Sequence, residues 1–161
     1  WEKIMAAGKA QGIKACGYRA IESLRLEKGY RAWAGEINTE TNPYEAGLGF
    51  AVSLKKDNFH GKAAAVAAQA NLTRKLVAIT FDDITCVPFG SEPIRIGEKI
   101  VGRIKSGGQG YTIKKAIAYA YLPIAQTEVG TKVDVEFFGT WRSGVICAEP
   151  LFDPTNERIK A

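Results

Sequence analysis

Residues 27–33 read Glu-Lys-Gly-Tyr-Arg-Ala-Trp, which places a carboxylate, two cations and two aromatic rings within one short stretch. A carboxylate can take paired hydrogen bonds from a ring N–H and an exocyclic amine, and neighbouring aromatic faces can wall a flat ring. That combination suits a site for a flat, polar heterocycle, with Glu27, Lys28, Gly29, Tyr30, Arg31 and Trp33 as the binding candidates. The same residue types also suit a plainer role, with Tyr30 and Trp33 packing at the edge of a core. Residue chemistry alone leaves both readings open.

Other chemistries find less support. His60 is the only histidine, in the loop-like stretch "KDNFHGK", so no Ser/His/Asp set can be assembled. Cys16, Cys86 and Cys147 are far apart and form no CxxC pair, which argues against a structural metal and for small buried hydrophobes in a reducing compartment. Asp82 and Asp83 are adjacent, so on a strand their side chains would face opposite ways. The stretch "KSGGQGYT" (105–112) has neither the spacing of a phosphate-binding loop nor a following helix, and is expected to be a flexible strand connection or a loop leaning over a cleft. Tyr119, Tyr121 and Phe137 follow a period of two, which is the pattern of core packing rather than of a nucleic-acid stacking platform.

Composition bounds the rest. The chain has 161 residues, 46% hydrophobic and 24% charged, with a net charge of +5 that is dispersed rather than gathered into a basic arm. No apolar run approaches the roughly 18–20 residues of a membrane span, and no secretion signal is evident. Residue 1 is Trp, so a processed chain or a piece of a longer protein is expected.

The elements that must position the candidates follow from periodicity. Residues 1–7 are helix-like. Tyr18 to Lys28 should form a helix with Ile21 and Leu24 on one apolar face, stopped by Gly29, and Glu27 at the border of that stripe, where its carboxylate can point along the surface into a cleft. Asn42-Pro43 suggests the cap and first turn of a very short helix. Leu48, Phe50, Val52 and Leu54 alternate with smaller or polar residues, which predicts a half-buried strand over 48–55. "GKAAAVAAQ" (61–69) is helical. From Arg74 the character changes. "KLVAITF", two strands joined at Gly97-Glu98, "IAYAYL" and "KVDVEFF" are followed by a Gly139-Thr140 turn into "WRSGVICAE". Val133, Val135 and Phe137 should face a core. The expected fold class is α+β, with an incomplete mixed α/β piece over residues 1–72 followed by a small antiparallel β-barrel over 73–161.

Several of these stretches together resemble one family. "GYRAIESLRLEKGYRAW", "TNPYEAGLGFAV", "FHGKAA" and "SGGQGYTIKKAIAYAYLP" are similar, in order, to the later part of the glycine cleavage T protein (aminomethyltransferase) family. "EKGYRAW" and "EPLFDPTNERIKA" look more like the C-terminal part of dimethylglycine oxidase/dehydrogenase and sarcosine dehydrogenase. The family pattern carries an arginine, a folate contact, where Ile21 stands here. The resemblance implies tetrahydrofolate as a cofactor held near Glu27 and Tyr30, and FAD in an N-terminal part that this chain does not contain. It implies a small N-methyl amine substrate and the remainder of the same polypeptide as partners, with neither membrane nor nucleic acid. It implies that the catalytic aspartate lies upstream of Trp1, so that no catalytic residue is expected in this chain. A bacterial cytoplasmic or mitochondrial matrix location would follow. An aminomethyltransferase relative acting on another donor, and a non-catalytic scaffold with this fold, remain as alternatives.

Overall fold

The structure is a computed structural model that describes residues 1–161. Its dominant feature is a closed antiparallel barrel of six strands: β1 (Arg74–Phe81), β2 (Pro93–Ile96), β3 (Lys99–Gly110), β4 (Lys115–Pro123), β5 (Lys132–Phe137) and β6 (Thr140–Cys147). The strand order is β1-β4-β3-β2-β5-β6, and β6 pairs back onto β1 through Ala78↔Cys147 to Thr80↔Val145. Closure leaves no sheet edge. Three helices lie before the barrel, α1 (Glu2–Gly8), α2 (Tyr18–Lys28) and α3 (Lys62–Ala70), and a single turn, α4 (Glu157–Lys160), lies near the end of the chain.

The barrel interior is built by period-two alternation. Val77, Ile79 and Phe81 of β1, Ile94, Ile104, the alanines at 116, 118 and 120, and Leu122 meet Val133, Val135 and Phe137 inside. The expectation that β5 turns its three apolar residues to a core therefore holds, with Asp134 and Glu136 on the other face. β4 differs because it is buried on both faces. Ile117, Tyr119 and Tyr121 point outward, where they pack with Leu76, Ala78 and Leu26 in a second cluster. Tyr119 and Tyr121 are thus core residues, but on the opposite side of the sheet from Phe137.

Three sequence expectations need correction. Residues 48–55 form no strand: Gly49–Ala51 is a single 3-10 turn, flanked by turns, and Phe50 is 88% exposed. A strand needs an edge to pair with, and the closed barrel offers none. Second, 105–110 is not a loop. It is the far half of β3, paired with β4 from Ser106↔Tyr119 to Gly110↔Lys115. Close approach calls for glycine there, since a Cβ on Gly107 would lie 2.6 Å from Pro88 Cβ and 2.8 Å from the backbone oxygen of Ile117. Third, the buried face of α2 is Ser23, Leu26 and Glu27, while Ile21 and Leu24 are 54% and 59% exposed. Two smaller shifts belong with these. Asn42 does cap, its Oδ1 accepting the N–H groups of Tyr44 and Glu45 at 3.0 Å each, but only turns follow. The β5–β6 turn falls at Phe138-Gly139, both at positive φ (47° and 80°), one residue earlier than the sequence suggests.

Candidate functional site

The candidate stretch begins where α2 stops. Gly29 takes a left-handed conformation (φ 73°), its N–H donates to Leu26 O at 3.2 Å, and Tyr30 N–H donates to Arg25 O at 2.9 Å. This is a Schellman closure, in which glycine carries the positive φ at no steric cost and reverses the chain. Leu26, fully buried between the helix and β3–β4, anchors the helix end. Its burial contributes about 1.5–3 kcal/mol.

The six nominated residues separate into two groups. Tyr30 and Trp33 are 57% and 69% exposed, side chains free of the core. The others are engaged within the fold. Glu27 is 1% exposed, and its Oε1 accepts the backbone N–H groups of Thr112 (2.7 Å) and Ile113 (3.2 Å), closing the β3–β4 turn. The expectation that its carboxylate runs along the surface into a cleft is therefore corrected: a buried polar group needs hydrogen-bond partners, and the turn supplies two N–H donors. Lys28 Nζ donates to Asp153 Oδ2 at 3.0 Å and to the carbonyls of Phe152 (3.4 Å) and Asp153, tying the C-terminal tail to α2. Arg31, with a side chain only 7% exposed, donates to Ala46 O (3.0 Å), Gly29 O (2.6 Å) and Glu149 Oε2 (2.5 Å). Its guanidinium lies 5.3 Å from the Tyr119 ring centroid.

A second polar group lies beneath the exposed aromatics. Arg25 Nη1 donates to Glu36 Oε1 at 2.6 Å and to Tyr30 O at 3.3 Å, and Arg25 Nε donates to Glu22 Oε1 at 2.9 Å. The Glu36 side chain is fully buried; its Oε2 accepts Ala32 N–H at 2.7 Å and its Oε1 accepts the Ser106 hydroxyl. Burial alone would push the Glu36 carboxyl up. The hydrogen bonds from Arg25, Ala32 and Ser106, with the Arg25 charge, outweigh it and hold the group below the ordinary carboxylate range. Two tyrosines of β4 complete the attachment, Tyr119 OH donating to Leu26 O and Tyr121 OH to Glu36 O, each at 3.0 Å.

A cavity of about 580 Å³ opens between α2 and β3, lined among others by Arg19, Ser23, Gly108, Gln109 and Thr112. None of the six nominated residues lines it. Tyr30 and Trp33 are instead exposed outside that cavity.

Residues 1–56 match the family described as GCVT N-terminal domain, and residues 74–153 match the glycine cleavage T-protein C-terminal barrel domain. The chain belongs to the glycine cleavage T-protein family. It is 42% identical over 164 residues to human mitochondrial dimethylglycine dehydrogenase, covering 99% of this chain and 19% of that protein. Mouse mitochondrial sarcosine dehydrogenase is 35% identical, with 99% and 18% covered. An aminomethyltransferase of Symbiobacterium thermophilum is 38% identical, with 98% and 42% covered. The chain thus spans about a fifth of the dehydrogenases it matches. Among solved structures, the glycine cleavage system aminomethyltransferase T from Bartonella henselae superposes with a TM-score of 0.83 at 26% identity, over 92% of this chain and 43% of that one. The α+β fold with its terminal barrel is that of the T-protein family. No helix is long and apolar enough to cross a membrane.

The residue that escaped the sequence reading altogether is Glu36, while Arg25, Ser106, Glu149 and Asp153 went unremarked inside quoted stretches. Their partners are distant: Ser106 and Glu36 are 70 residues apart, Lys28 and Asp153 are 125. Ser106 also has the wrong parity. It shares its parity with Ile104, which faces the barrel interior, but a bulge between Ile104 and Ser106 rotates Ser106 to the outer face beside Tyr119. The one local hint was the spacing of Glu22 and Arg25, which pair along one side of α2.

Proposed function

We propose that this chain is the tetrahydrofolate-facing, C-terminal portion of a longer N-methylglycine-type oxidase or dehydrogenase, acting on dimethylglycine or sarcosine. In that protein the one-carbon unit from demethylation passes to tetrahydrofolate. The observation that carries this reading is the similarity to mitochondrial dimethylglycine dehydrogenases along 99% of the chain, the segment 23–33 included. Residues 1–72 serve as the end of the folate-binding domain and 73–161 as its barrel domain. Ile21 in place of the family's arginine favours this subgroup over an aminomethyltransferase, the second reading, which the match to the Symbiobacterium protein supports.

The residues present fit a pteridine. Tyr30 and Trp33 offer exposed flat faces on one stretch of backbone, suited to stacking against a planar ring. Glu27, Lys28, Gly29 and Arg31 hold that stretch from beneath through the β3–β4 turn, the C-terminal tail and the Ala46 segment. When bound, tetrahydrofolate supplies the nitrogen that accepts the one-carbon unit; FAD, in the upstream part, supplies the oxidation. The upstream polypeptide contributes the catalytic aspartate and the opposite wall of the cleft. The protein works in the cytoplasm of a bacterium or in a mitochondrial matrix.

Titration of tetrahydrofolate against the full-length enzyme tests this. Loss of a ligand-facing aromatic contact or hydrogen bond of about 1–3 kcal/mol corresponds to roughly a five- to hundred-fold weaker Kd. Tyr30→Ala is expected to weaken tetrahydrofolate by that factor, with anaerobic flavin reduction by the amine as the control for the upstream half. Unchanged folate affinity would return Tyr30 to a packing role, and a full-length protein without flavin would favour the aminomethyltransferase reading.

A further inference from the structure

Trp33 stands at the base of a tight turn, bridged to Ile37, that the sequence does not favour by itself. Gly35 N–H donates to Ala32 O at 3.2 Å, and Ala34 N–H donates to Ile37 O at 2.8 Å, so the chain reverses within Ala32–Ile37. Ala34 sits at φ 67°, in the left-handed region that an L-residue with a Cβ rarely adopts and that such a turn reserves for glycine or asparagine. A strained turn on an exposed loop needs an external restraint. Glu36 is that restraint. Its Oε2 accepts the Ala32 N–H at the start of the turn, its Oε1 accepts Arg25 Nη1 from α2 and the Ser106 hydroxyl from β3, and its own carbonyl accepts Tyr121 OH from β4. Arg25 in turn donates to Tyr30 O. One buried carboxylate therefore links the helix, the barrel and both ends of the aromatic stretch.

The arrangement is unlike ordinary surface packing. Tyr30 and Trp33 are exposed, so the clamp does nothing to bury them, yet it hydrogen-bonds the backbone that carries them at Tyr30 O and Ala32 N–H. Rigid presentation of exposed rings lowers the ordering cost of binding a flat ligand. We propose that Glu36, joined to Arg25 and Ser106, is a positioning residue that pre-sets the Tyr30–Trp33 wall for its ligand, an inference that rests on the folate reading above. Glu36 itself touches no ligand.

The test uses full-length protein and two readouts: the tetrahydrofolate Kd, and hydrogen–deuterium exchange of the 31–37 segment without ligand. In Glu36→Gln an amide replaces a carboxylate that has three donors aimed at it, so exchange in 31–37 should quicken and folate should bind roughly ten-fold more weakly. Adding Ala34→Gly, which relieves the positive φ, should recover most of the lost affinity. A residue that merely supported global stability would not be rescued by a glycine at the turn, so loss of affinity without rescue overturns the proposal. Unchanged Kd in Glu36→Gln, with Tyr30→Ala still weakened, overturns the positioning role and leaves the folate reading intact. Unchanged Kd in both variants sinks the folate reading and this inference together. If Glu36→Gln does not fold, Ser106→Ala removes one of the three donors, and a several-fold weaker Kd with faster exchange in 31–37 is then required; no change in Kd overturns the proposal.

Discussion

Tyr119 and Tyr121 on β4, and Tyr30 and Trp33 after α2, are two aromatic pairs, each with its members close in sequence, that the fold uses in different ways. The first pair is buried, each phenol donates to a backbone carbonyl, and each ring lies under a guanidinium, Arg31 at 5.3 Å and Arg74 at 4.9 Å. Burial pushes both phenols above the ordinary tyrosine range, which keeps them protonated as donors. The second pair is exposed, and the loop beneath it is fastened by buried charge instead. The contrast separates two roles for the same residue type. The β4 pair spends its surface and its polar tips on joining helix to barrel, whereas the loop pair leaves its surface exposed.

The largest expected effect breaks the first pair. Tyr119→Ala removes a fully buried ring, its hydrogen bond to Leu26 O and its contact with Arg31, and should destabilise the protein by about 3–5 kcal/mol. Tyr119→Phe keeps the ring and loses only the hydroxyl, for about 1–2 kcal/mol. Denaturant unfolding of both variants checks the ordering; equal losses would mean that the hydrogen bond, not the packing, is the anchor.

A pH titration probes what fastens the loop. The folded Glu36 carboxyl is held below its ordinary value, so it stabilises the fold above the unfolded carboxylate pKa, about 4.3. That stability is lost as pH falls through the lower, folded value. Thermal stability should therefore decline below about pH 4.3. The decline should be shallower in Glu36→Gln, with the remainder due to three other carboxyls held below their ordinary values: Glu45, where burial pushes up but Arg74 and the Asn42 N–H outweigh it, Asp83, held by the Thr85 hydroxyl and N–H, and Asp153, where burial is outweighed by Lys28 and the Arg158 N–H. Parallel acid profiles for wild type and Glu36→Gln would show that the group carries none of the pH dependence.

The smallest effect is expected at the loop pair. Trp33→Ala should change stability by no more than about 0.5 kcal/mol, because a ring 69% exposed loses little on truncation. A loss comparable to that of Tyr119→Ala would show that Trp33 packs against the fold, and would erase the distinction between the two pairs.

Much of this architecture was legible locally. Gly29 ends α2, a continuous apolar run marks β1, period two marks β4 and β5, and Gly97 turns β2 into β3, because helix stops, side-chain patterning and tight turns depend on near neighbours in the chain. The aromatic stretch after α2 was legible too, as residue types suited to a planar ring. What the local pattern could not decide was which polar groups would be buried and by what. The alternation over 48–55 predicted a strand, but strand formation needs an edge, and barrel closure removes every edge. Glu27 looked free to face a cleft until the β3–β4 turn, 85 residues on, placed two N–H donors against it. Ser106 sits on the face opposite to its parity because one bulged residue rotates the strand, and only that rotation lets it reach Glu36. Residue type and spacing determined the elements and the chemistry available. Their tertiary assembly decided which carboxylates became structural and which rings stayed open, since a buried charge is tolerated only where distant donors converge on it.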